Sequence, residues 1–108
     1  ASGTEALGDE ALEKMVRCMF NELNEILLLE NMALAVYDEE TCRLKTVCFA
    51  AEDGEEELHE RLQRCYDSGQ MQWTGATKWS FLPLWVETGG EKHCVGVLAL
   101  KLARAYSR

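Results

Sequence analysis

Two apolar segments near the end of the chain, Trp79-Ser80-Phe81-Leu82-Pro83-Leu84-Trp85-Val86 and Val95-Gly96-Val97-Leu98-Ala99-Leu100, are separated by Gly89-Gly90. They read as two long strands joined by a glycine turn. In the second segment both alternating sets of residues are apolar apart from Gly96, as expected of a strand at the centre of a sheet covered on both sides. The last strand of the sequence is therefore expected in the middle of the sheet.

The remaining pattern supplies its neighbours. From Asp9 to Glu30, Leu12, Met15, Val16, Met19, Leu23, Ile26 and Leu27 recur at spacings of three and four, which predicts a long amphipathic helix. Leu12, Val16, Met19, Leu23 and Ile26 also form a short heptad seam. Such a seam either packs on the domain's own sheet or pairs with a second copy, and the spacing alone leaves both open. Met32 to Tyr37 and Leu44 to Ala50 read as a hairpin closed by the polar turn Asp38-Glu39-Glu40-Thr41. Asp53, with Glu56 three residues on, caps a second helix that Gly69 stops. Leu58, Leu62, Cys65 and Tyr66 form its inward stripe, and Glu57 with Arg61 an outward pair. Gln70 to Lys78 predicts a short edge strand and a loop. The resulting order is helix, strand, strand, helix, short strand, strand, strand, an α+β fold with an antiparallel sheet.

A chain of 108 residues has room for one core, so residues 9–108 are expected to form a single domain after a disordered or extraneous tail at 1–8. No apolar run, Ile26 to Leu29 among them, comes near the ~20 residues that span a bilayer, and the N-terminus lacks the basic-then-apolar pattern of a signal peptide. Nineteen acidic against eleven basic residues leave a net charge of −8, which repels nucleic acid and anionic lipid. Cys18, Cys42, Cys48, Cys65 and Cys94 are odd in number and scattered, a usage that fits reduced, structural thiols in the cytoplasm.

The run Phe81-Leu82-Pro83-Leu84, the glycine turn and Gly96-Val97-Leu98-Ala99-Leu100 resemble the closing hairpin of GAF domains. Together with Asp67-Ser68-Gly69-Gln70, they are most similar to the GAF-like module of potassium-sensing, Kdp-type histidine kinases. The resemblance implies a GAF/PAS-like antiparallel sheet with a long N-terminal helix and a second helix packed on it. In that family the helices line one face, and loops that can enclose a small ligand line the other. It also implies a non-catalytic sensory or regulatory module of a cytosolic signalling protein, which relays ligand or partner state to an output domain such as a histidine kinase. Only about ten residues separate Gly69 from Ser80, too few for the lid that encloses a large ligand, and no cofactor is expected.

Trp73 and Trp79 offer flat apolar walls, with Thr74, Thr77 and Lys78 as polar contacts, so a small ligand would lie over the sheet face at this loop, opposite the first helix. Lys78 would favour an anionic group. Trp85 alternates with Phe81 and Pro83 and is expected to pack on the sheet. His59 and His93 have no metal-ligand spacing with the cysteines, and His93 and Cys94 point to opposite faces of a strand, so no metal site is expected. The carboxylates at 38–40 and 52–57 read as a solvated turn and a helix start. Self-association through the first helix is the expected contact with a partner. The alternatives are a ligand-free dimerisation or interaction domain, either a degenerate GAF or a longin/roadblock-like scaffold, and a thiol-based reductase.

Overall fold

The computed structural model describes residues 9–50, 55–74 and 78–103. The elements are α1 (Asp9–Leu23), β1 (Leu29–Asp38), β2 (Arg43–Cys48), α2 (Glu55–Ser68), β3 (Gln72–Thr74), β4 (Trp79–Thr88) and β5 (Glu91–Leu102). The five strands form one antiparallel sheet in the order β2-β1-β5-β4-β3, so the last strand is the central one. The fold is α+β, compatible with GAF/PAS-like architecture. The tail at 1–8 and Asp53 lie outside the described residues.

The helix expected to reach Glu30 ends at Leu23, and Leu29 and Glu30 already belong to β1. Turn hydrogen bonds at Asn24 to Leu27 wind the chain down, and the Asn24 side-chain oxygen accepts from the Leu29 N–H at 2.9 Å, where the backbone turns into the sheet. Leu27 still packs on the α1 core after the helix has ended, so its spacing reads as helical, whereas Ile26 is exposed. Along β1 the side chains alternate between faces, and a bulge between Leu29 and Asn31 resets the phase. Buried Asn31 accepts from the Met32 and Ala50 amides at 2.8 and 3.0 Å and donates to the Ala50 carbonyl at 2.9 Å, tying the chain after β2 back to β1.

The two faces carry separate cores. On one, Leu58, Leu62 and Cys65 of α2 pack on Ala33, Ala35, Trp79, Phe81, Val97 and Ala99. Three alanines let the helix approach closely, and no side chain of this cluster is more than 6% exposed. On the other, Leu12, Val16 and Phe20 of α1 pack on Leu29, Met32 and Leu34. The helices thus stand on opposite faces, as the doubly apolar β5 requires, and not on one face with a loop-enclosed ligand on the other, as the GAF resemblance implied. α2 ends as its sequence demands: Gly69 takes φ 67° and its N–H bonds the Cys65 carbonyl at 2.8 Å. Gly96 sits opposite Val36, and a β-carbon there would lie 2.3 Å from the Ala35 carbonyl oxygen. The β4–β5 hairpin runs beyond β1, whose pairing with β5 stops at Gly96. A bulge leaves Val95 unpaired between the Leu84–Gly96 and Trp85–Cys94 pairs, at the root of this overhang.

Candidate functional site

Of the loop chosen from its tryptophans, Trp79 does not form a ligand wall. Trp79 is 6% exposed and packs on Phe81 with ring centroids 6.2 Å apart, inside the core beneath α2. Its indole helps to close that face. Lys78 is exposed, in a left-handed conformation with φ 65°, and its Nζ donates to the Ala103 carbonyl at 3.4 Å. Trp73 and Thr74 lie in β3, with Thr74 paired to Trp79, and Thr77 lies outside the described residues. The face on which the ligand was expected is the one α2 covers.

The seam on the first helix divides. Leu12 and Val16 are 0% and 1% exposed against the domain's own sheet, so neither can meet a second copy in this fold. Met19 and Leu23 border that core, and Ile26 is 79% exposed beyond the end of α1. The alternative left open by the spacing, intramolecular burial, is the one these first two residues adopt.

The cysteines are less uniform than their sequence context suggests. Cys65 is buried, Cys48 and Cys94 are half-buried, and Cys18 and Cys42 are exposed, so the expectation of core thiols fails at these last two. Burial, and then the neighbouring Cys94, pushes the Cys65 thiol up to about 11, which leaves it protonated and unreactive at neutral pH. Tyr37 and Tyr66 stack at 5.4 Å beside it. The Tyr37 phenol is raised chiefly by its hydrogen bond with Cys42, and that of Tyr66 chiefly by burial. Protonated groups of this kind fill a layer; they do not make a nucleophile. Among the described residues no group of three or more His, Cys, Asp or Glu could hold a metal ion. The acidic turn is organised by Asp38, whose carboxylate accepts from the Glu40 amide at 3.1 Å and the Thr41 hydroxyl at 3.2 Å.

What sequence reasoning missed lies on the α1 face. α1 packs on β1 and β2, and Phe20 stacks on Phe49 at 3.8 Å just beyond β2. A shallow cleft of about 140 Å³ between Glu13, Val16, Arg17, Val47, Cys48 and Phe49 marks this flank. On the other flank, β5 and β4 present Leu98, Leu100, Leu102, Leu82 and Leu84, all half-buried, with Val86 46% exposed at the end of the row. The doubly apolar alternation of β5 asks for a cover on each face, but does not tell how far across the sheet α1 reaches. Compared with protein-family models, with curated proteins and with solved structures, the chain finds no match. No described helix is long and apolar enough to cross a membrane.

Proposed function

We propose that this domain is a non-catalytic regulatory module of GAF-like layering in a cytoplasmic signalling protein, which relays the state of a bound partner to an attached output domain. The observation that carries this is the packing of α2. Its apolar side chains close on the sheet where a ligand chamber would be, with Trp79 turned into the core. Input through a protein surface is therefore better supported than input through an enclosed small molecule. The protonated, buried Cys65 also argues against thiol catalysis. The likeness of the closing hairpin to Kdp-type modules makes a histidine kinase the output domain to test first.

The test is a fusion of the domain upstream of a histidine-kinase catalytic core. Autophosphorylation is expected to differ severalfold between the wild-type domain and the Gly96→Val variant, whose sheet is disrupted. Equal rates would remove the relay. A stand-alone dimerisation scaffold of longin- or roadblock-like layering is the second possibility, favoured by helices on both faces of the sheet. Sedimentation distinguishes it: a scaffold of that kind is dimeric at micromolar concentration, whatever the kinase does.

A further inference from the structure

Five strands at about 4.8 Å spacing make a sheet roughly 20–24 Å wide, and one helix of about 10 Å covers only two of them. α1 lies over β1 and β2. Leu84, Leu98, Leu100 and Leu102 border its core but stay half-buried, and with Leu82 they form the floor of a second, parallel channel on the same face. The flank of α1 towards β2 carries Glu13 and Arg17, which fixes the opposite flank as Met15, Met19 and Glu22. Met15 is 41% exposed and Met19 half-buried. The channel thus has a methionine wall, a leucine floor and a width matched to a helix. Methionine walls adapt to varied apolar partners.

Charge decides among occupants. Glu22 stands in line with Met15 and Met19 on the wall, and Glu91 lies at the far end on the same face as Val86, where it pairs with His93 at 3.8 Å. Strand alternation puts Lys92 and Lys101 on the α2 face, and Lys45 lies on β2, beyond α1. Beside His93 and Lys78, which is turned onto the Ala103 carbonyl, the border carries the exposed carboxylates Glu22 and Glu91 in a chain of net charge −8. A second copy is a poor occupant on two grounds: its channel carries the same acidic border, and the apolar stripes of its helices are already buried against its own sheet. We infer that this channel docks an amphipathic helix from a partner protein, apolar on one face and lined with lysine or arginine at its margins.

This inference rests on the relay function and names the surface through which it is driven. The probe is a fluorescein-labelled helical peptide of about 18 residues, five turns, with leucines on one face and lysines on the other. The controls are the same composition scrambled and the same pattern with glutamate for lysine. Saturable anisotropy binding is expected for the patterned lysine peptide alone. Met15→Gln, at an exposed position that leaves the core intact, and Leu98→Gln are each expected to weaken it about tenfold. Glu22→Lys is expected to weaken it about threefold. Glu60→Lys on exposed α2 removes the same net charge and is expected to leave binding unchanged. Chemical shifts of the Met15 and Met19 methyl groups are expected to move on titration. Equal binding of the scrambled peptide, insensitivity to Met15→Gln, or a dimer that Met15→Gln dissociates would each overturn the assignment. If the peptide fails while kinase output still responds to Gly96→Val, the channel is removed and the relay stands.

Discussion

Gly96 and Asn31 show how single residues hold the centre of this sheet. Any β-carbon at Gly96 meets the Ala35 carbonyl oxygen, which belongs to the backbone and cannot swing away. Gly96→Ala is therefore expected to destabilise the domain by about 2 kcal/mol and Gly96→Val by about 3 kcal/mol or more, read from urea unfolding midpoints. Asn31→Ala leaves both polar groups of Ala50 and the Met32 amide without their partner, and an expected loss of about 2–3 kcal/mol follows from that desolvation. An Asn31→Ala variant as stable as wild type would show that the clamp is dispensable. Cys65 gives a pH dependence with a definite sign. In the unfolded chain its thiol ionises near the ordinary value of about 8.5, whereas in the fold it stays protonated to about 11. Between those values the folded state binds more protons than the unfolded one, so stability falls as pH rises through that window. The decline is expected to flatten in Cys65→Ala. A thiol reagent at neutral pH is expected to modify Cys18 and Cys42 rapidly and Cys65 only after denaturation, which mass mapping of the labelled peptides checks.

At the scale of elements, the helices and strands were legible where one local rule acted alone. α2 was marked by its inward stripe, the Glu57–Arg61 pair, which closes at 3.2 Å, and the Gly69 stop, because capping and spacing need only nearby residues. α1 was read too long because the apolar residues of its exit turn fell in helical phase, and the Asn24 side chain that ends it makes its contact outside the helix. The seam on α1 was ambiguous for a different reason: helical spacing identifies a face but not what covers it. Substitution now separates the two ends. Leu12→Ala is expected to lose about 2–4 kcal/mol by leaving a cavity under α1, and Ile26→Ser less than about 0.5 kcal/mol, by thermal or urea unfolding. Trp79 was misjudged as a ligand wall because an aromatic beside a loop reads alike whether it faces a pocket or a core. Only the position of α2 decides between them, and that depends on contacts distant in sequence. The β4–β5 hairpin was legible as a pair, but its overhang was not, since the point where β1 stops pairing is set by the register of another strand.

For the whole molecule, the order of strands in space differs from their order in the chain in one decisive respect. β1 and β5, neighbours in the sheet, are separated by about half of the sequence, whereas β1 with β2 and β4 with β5 are local hairpins. On a ribosome adding about 5–20 residues per second, the strand that completes the middle emerges several seconds after β1. During that interval β1 and the hairpin it forms with β2 present an apolar, unpaired edge, with Met32, Ala33, Leu34 and Ala35 awaiting a partner. Long-range pairing of this kind also slows refolding, because the intervening loop must close before any contact compensates. The same central position that makes β5 the keystone of the native sheet thus makes its emergence the committing step in biogenesis: until it arrives, the β1–β2 and β3–β4 pairs have no common strand between them.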